Sequence, residues 1–177
     1  MEALIESLDG VGQWMWARHH NLASWYVRPL FVLAYCWFAY RRSRLGLAAT
    51  VLIFPTSLFW FPAPEHPSPA AQQYLALEAA FFTASPWRLG LLAVLVLGFL
   101  WALAAAFWRR SWRWGLAVLN LGTLVKLAWG FLFGEQGAGI AAVAPALFTL
   151  LVCNLVVLAL VWVRARRGRN GERTGDF

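Results

Sequence analysis

From Leu89 to Trp108 the chain runs for twenty residues without one polar or charged side chain, and then meets Arg109 and Arg110. At 1.5 Å per residue such a run makes a helix of about 30 Å, the thickness of a bilayer's hydrocarbon core. In water, a helix apolar all round needs protein on every side. A chain of 177 residues has little left over to supply it. Only 13% of the residues are charged, against about 25% in soluble domains. Most of this surface therefore faces lipid.

Four further apolar runs repeat the pattern. They span roughly residues 21–40, 45–61, 114–133 and 140–163. The expected fold is an all-α polytopic membrane protein, a bundle of about five transmembrane helices plus amphipathic surface helices. Residues 1–20 form an interfacial helix on the outer side. Residues 21–163 form the five-span bundle, with an outer loop helix at about 68–82. Residues 164–177 form a basic cytoplasmic tail expected to be disordered.

The N-terminal segment does not resemble a secretory signal. Glu2, Glu6 and Asp9 make its start acidic, and no apolar core or small-residue cleavage site follows. Leu4, Ile5, Leu8, Val11 and Met15 recur at helical spacing, with Trp14 and Trp16 suited to a headgroup region. A break or bend is expected near Gly10 and Gly12. Within the first span, Arg28-Pro29 places a charge at membrane depth. Pro55 should kink the second span. Pro62, Pro64 and Pro67 stiffen the loop that follows, and Ser68 caps the next helix with Pro69 at its first position. On that helix Glu78 shares the face of Leu75 and Phe82.

Eleven arginines, at 41, 42, 44, 109, 110, 113, 164, 166, 167, 169 and 173, fall on one side of a five-span chain. By the positive-inside rule that side is cytoplasmic, which puts the N-terminus outside and the C-terminus inside. The arginine and alanine usage suits a GC-rich bacterium, so the expected location is a bacterial inner membrane. The net charge of +7 sits at the ends of apolar runs, where it meets anionic lipid rather than nucleic acid.

The polar residues inside this apolar chain carry the functional reading. Arg28 lies 13 residues before Arg41, and Lys126 lies 13 residues after Arg113. Both therefore sit about 20 Å from the arginine side. Two cations at one depth repel unless an anion lies between them. Glu78, Glu65 and Glu135 are the outer carboxylates available, and Glu78 is favoured by its helix. The expected ligand site is Arg28, Lys126, Glu78, Glu65 and Glu135, open to a phosphate or carboxylate, with an anionic lipid or lipid-linked phosphate as natural guest. The blander reading has both cations snorkelling to the interface as anchors.

His19, His20 and His66 also fall outside and form a weak alternative metal set, without any HExxH pattern. Asn120 and Asn154 lie at similar depth on neighbouring spans and suit an interhelical hydrogen bond. Cys36 and Cys153 have no paired spacing, so neither a disulfide nor a thiolate metal site is expected. No haem or flavin motif accompanies the deep Trp101 and Trp129, and no cofactor is expected. Ser24 and Ser57 lack a nucleophile-elbow context, so no catalytic residue is assigned.

The reading that follows is a non-enzymatic membrane component that binds an anionic lipid, another anionic ligand or a partner protein on its outer side. One alternative is an oligomeric transporter or channel, with Arg28 and Lys126 lining an anion path. Another is a membrane enzyme on a lipid-linked substrate, with Glu65, His66 or Glu78 as acid or base.

Overall fold

The structure, a computed structural model, describes the backbone of residues 2–133 and 140–173 and the side chains of residues 10–80, 85–129, 131, 142–164 and 166. Among these the chain is helical, with no strand. The order is α1 (Glu2–His19), α2 (Ala23–Tyr40), α3 (Arg44–Ile53) running into a 3-10 segment (Phe54–Phe59), α4 (Pro69–Ala84), α5 (Pro86–Trp108), α6 (Trp112–Phe133) and α7 (Ile140–Arg173).

Two segments, Pro86–Trp108 and Ala142–Arg164, are long and apolar enough to cross a membrane. A third crossing is added if the bent pair Gly10–His19 and Ala23–Tyr40 is one span. That is fewer than the five expected. The second expected span is a ten-residue α-helix that tightens into 3-10 geometry at Phe54. Pro55 explains the change, because its ring removes a backbone donor. The Thr56 and Ser57 hydroxyls then bond back to the Ile53 and Phe54 carbonyls, at 2.7 Å each.

Two other expectations change. α1 is continuous through Gly10 and Gly12, since a helical glycine costs only about 1 kcal/mol. The bend falls instead after His19, where the axis turns by 89° into α2. Asn21 makes this corner. Its Oδ1 accepts from the Ala23 amide at 3.0 Å, and its Nδ2 donates to the Pro62 carbonyl at 2.9 Å. At the other end α7 stays helical to Arg173, where a disordered tail was expected. Arg164 to Arg167 are good helix formers, and no proline follows Pro145.

α2 lies at the centre and packs on α3, α5 and α7, while α6 packs between α5 and α7. One apolar cluster joins α2, α5, α6 and α7 through Tyr35, Cys36, Ala39, Leu103, Phe107, Leu116, Leu119, Cys153 and Val157. A smaller one joins the start of α2 to α4 and α7 through Trp25, Ala71, Tyr74, Leu75 and Ala142. α4 begins as the sequence suggests, with the Ser68 hydroxyl accepting from the Ala71 amide at 3.2 Å. It crosses the end of the bundle against α5 and α7.

The turns after α2 and α5 close alike. Arg42 N donates to Ala39 O and Ser43 N to Phe38 O; Arg110 N donates to Phe107 O and Ser111 N to Ala106 O. This is the Schellman arrangement, whose left-handed position usually carries glycine. Here it carries Arg42 (φ 57°) and Arg110 (φ 58°), at a cost of order 1 kcal/mol or more for each non-glycine residue. Each turn also needs a nearby glycine for packing. A Cβ at Gly46 would overlap the Phe38 ring, and one at Gly115 would overlap the Phe107 ring.

Gly98, by contrast, has open space where a Cβ would stand. Gly115→Ala should therefore lower the thermal midpoint, by about 1–3 kcal/mol of overpacking. Gly98→Ala should leave it level or raise it by up to about 1 kcal/mol through helix propensity. Thermal unfolding of both variants in one detergent checks the contrast; equal shifts would refute this packing.

Candidate functional site

Four elements meet at the end of the bundle away from the arginine turns. α1 delivers His19 through its corner, α2 delivers Trp25 and Arg28, α4 delivers Tyr74 and Glu78, and α6 delivers Lys126. The corner at Asn21 makes this possible. It folds His19 back over α2, so that residues nine apart in sequence come into contact.

His19 is buried, with only 7% of its surface exposed. Its ring packs near Trp16 and Trp25, at centroid separations of 6.0 and 6.1 Å. One terminal nitrogen of Arg28 lies 3.5 Å from both Nδ1 and Nε2 of that ring. A donor equidistant from both ring nitrogens lies over the imidazole face, not in line with one lone pair. This contact needs a neutral ring, because an imidazolium would repel the guanidinium. Trp25 fixes the arrangement by donating from Nε1 to the His19 carbonyl at 3.2 Å, and its ring lies 5.8 Å from the guanidinium carbon. The Arg28 Nε is buried and has no hydrogen-bond partner.

Glu78 approaches from α4. It acts electrostatically on both Arg28 and Lys126. Tyr74 lies one helical turn before it and packs on Trp25 at 5.4 Å. Tyr74 lies outside the candidate spans. Burial first, and then the Glu78 carboxylate that its hydroxyl hydrogen-bonds, hold its phenol above the ordinary tyrosine pKa. It therefore stays a proton donor to Glu78 at neutral pH. Lys126 is surrounded by protein on most sides yet keeps an exposed side chain. By surface area it faces an opening rather than a packed neighbour.

The structure thus brings Arg28, Lys126 and Glu78 into one electrostatic group. Glu65 and His66 are exposed on the proline loop and are not among the groups acting on the two cations. Glu135 lies outside the described residues. His20 turns away from His19: its Nδ1 donates to the Trp16 carbonyl at 2.9 Å. It lines an open cleft of about 320 Å³ between α1 and the proline loop, with Trp16, Pro64 and Pro67. Among the described residues, no three His, Cys, Asp or Glu side chains gather where a metal ion would need them. Sequence reasoning missed the parts of His19 and Tyr74. The spacing of Tyr74 four residues before Glu78 was the available signal for the second.

Nearer the arginine end, Asn120 and Asn154 exchange amide hydrogen bonds between α6 and α7. Asn120 Nδ2 donates to Asn154 Oδ1 at 3.2 Å, and Asn154 Nδ2 donates to Asn120 Oδ1 at 2.8 Å. The Asn154 amide also donates to its own helix, at the Leu150 carbonyl, 2.7 Å away. Every polar atom here has a partner within the pair or its helix, so this contact joins helices and offers little to a ligand.

Comparison with protein-family models, with curated proteins and with solved structures finds no match for this chain.

Asn120→Ala and Asn154→Ala should each destabilise the bundle, and their double substitution should fall short of the sum. The shortfall should be about 0.6 kcal/mol, the usual worth of a hydrogen bond between membrane helices. A double-mutant cycle measured by unfolding in mixed micelles checks it; strict additivity would show that the pair carries no coupling.

Proposed function

We propose that this is a five-span membrane protein that binds a phosphate-bearing lipid, or a chemically similar anion, at the end built from α1, α2, α4 and α6. Helix length supports five crossings. The 18 residues of α2 reach about 27 Å. The ten residues of α3 and the six of the 3-10 segment together also reach about 27 Å, because 3-10 geometry rises faster per residue. The 22 residues of α6 reach about 33 Å. On the positive-inside rule, the arginine turns then face the cytoplasm of a bacterial cell and the Arg28 end faces outward.

The observation that carries the binding reading is the charge count. Among the described residues, Arg28 and Lys126 share one carboxylate, Glu78, which leaves one positive charge unmatched there. An unmatched charge in a low-dielectric setting is costly, and it is retained where it has a use. The unpartnered Arg28 Nε and the open flank of Lys126 leave donors for an incoming anion. A phosphate suits the forked guanidinium better than a monatomic ion does.

The test compares the intact wild-type chain with Arg28→Gln/Lys126→Gln by native mass spectrometry after gentle extraction into phosphatidylglycerol-containing micelles. Wild type should retain phosphatidylglycerol that the double variant loses. Glu78→Gln adds a sign test. With the carboxylate gone, lipid retention should rise severalfold, since an anion site loses its internal competitor. If Glu78 serves only to neutralise the two cations, its loss should destabilise the protein with no gain in retention. Equal lipid counts in wild type and double variant would refute the anion site.

A further inference from the structure

The arginine turns form a second site, at the opposite end of the bundle. Tyr40-Arg41-Arg42-Ser43 and Trp108-Arg109-Arg110-Ser111 repeat an aromatic-Arg-Arg-Ser pattern. Each turn places its second arginine in the left-handed conformation, where glycine would be easier. Fourteen glycines occur in the chain, but neither position uses one. A strained backbone held twice at equivalent places points to a use for the side chain.

Those side chains converge. Arg42 Nε donates to the Trp108 carbonyl at 3.2 Å, clipping the first turn to the second. The Arg110 guanidinium carbon lies 5.6 Å from the centre of the Tyr40 ring, and that of Arg164 on α7 lies 4.5 Å from it. Arg110 and Arg164, far apart in sequence, thus bring cations to one aromatic ring, and Arg42, two residues after that ring, is clipped to the turn that carries Arg110. All three arginines are exposed. The Arg42 bond to Trp108 uses Nε, leaving the terminal nitrogens of its fork free of that contact. No acidic residue occurs between Asp9 and Glu65 or between Glu78 and Glu135, and only Glu172 and Asp176 follow. Among the residues whose side chains are described, this end therefore holds no carboxylate to balance the arginines. Trp37, Trp114 and Trp162 ring the same level with exposed side chains, as tryptophans do at lipid headgroups.

We propose that the junction of Arg42, Arg110 and Arg164 binds the phosphodiester of an anionic phospholipid in the leaflet at the arginine end. Guanidinium forks match phosphate oxygens in pairs. A headgroup phosphate bound there relieves the mutual repulsion of the three cations, and the tryptophans fix its depth. The site is separate from the Arg28 group and stands whether or not that group binds an anion.

The left-handed turns offer a clean test. Glycine accepts their backbone conformation, so Arg42→Gly/Arg110→Gly removes the cations while easing the fold. Full-length wild type and variant are placed in nanodiscs of equal parts phosphatidylcholine and phosphatidylglycerol, released, and the retained phosphatidylglycerol is counted by native mass spectrometry. Occupancy should fall roughly fivefold for each arginine removed, from the attraction of one basic side chain to an anionic surface. The thermal midpoint of the variant in pure phosphatidylcholine should match or exceed that of wild type. Arg164→Gln, which leaves both turns untouched, should lose phosphatidylglycerol in the same way. An unchanged lipid count in both variants overturns the site. A lower midpoint of the double glycine variant in pure phosphatidylcholine overturns it in favour of a purely structural role. Equal stabilisation of wild type in pure phosphatidylcholine by inorganic phosphate overturns it in favour of a soluble anion.

Discussion

Hydrocarbon offers no hydrogen bonds, and on the five-span reading proposed above that constraint orders the rest of this molecule. Each backbone group at membrane depth has to be satisfied within its own helix. The hydroxyls on these helices follow the rule. Thr50, Thr123 and Thr149 donate back to the carbonyls of Gly46, Leu119 and Pro145, one turn earlier. Tyr35, buried on α2, reaches across to the Leu100 carbonyl of α5 at 3.1 Å. The prolines are tolerated on the same terms. At Pro55 the helix tightens and two hydroxyls bond back into it. At Pro29 the helix continues, and the Cys153 thiol lies 4.0 Å from the Pro29 carbonyl as a weak extra donor.

Against that background the charged residues separate by what surrounds them. Arg28 has the His19 and Trp25 rings beside it and a carboxylate within electrostatic range, Lys126 has an open flank, Arg110 and Arg164 lie over the Tyr40 ring, and Arg42 is bonded to the Trp108 carbonyl. A snorkelling arginine extends along apolar surface and frees its head. Arg28 instead keeps one terminal nitrogen over a buried imidazole and buries its Nε. The energetic penalty is local, and the proposed anion would offset it.

Much of this was legible in the sequence, where apolar length and arginine punctuation fix helices without help from tertiary context. α5 and α6 begin and end within about three residues of the expected runs, and the Ser68-Pro69 start of α4 follows from capping chemistry alone. The second run was harder. Its kink at Pro55 could be foreseen, but its 3-10 geometry depends on hydroxyl contacts that only the folded backbone supplies. The shared depth of Arg28 and Lys126 came from counting residues. The placement of His19 over Arg28 did not, because it depends on an 89° corner made by Asn21 bonding to a loop some forty residues away. The three outer histidines offered only a weak metal set; the corner buries His19 and leaves His20 beside the proline loop.

The two turns show why pattern alone undervalues such sites. Read as charge, Arg41-Arg42 and Arg109-Arg110 are orientation signals, and any basic residues would serve. Read as backbone, Arg42 and Arg110 occupy positions where most side chains are disfavoured and glycine is favoured. A topology signal has no need of that position, since Arg41, Arg44, Arg109 and Arg113 already supply the charge. Strain is kept at both turns, with the Arg42 side chain drawn to the Trp108 carbonyl and that of Arg110 to the Tyr40 ring, and the proposed headgroup site uses the resulting direction of the guanidinium. Direction matters for gripping a shaped anion and is irrelevant to a diffuse field.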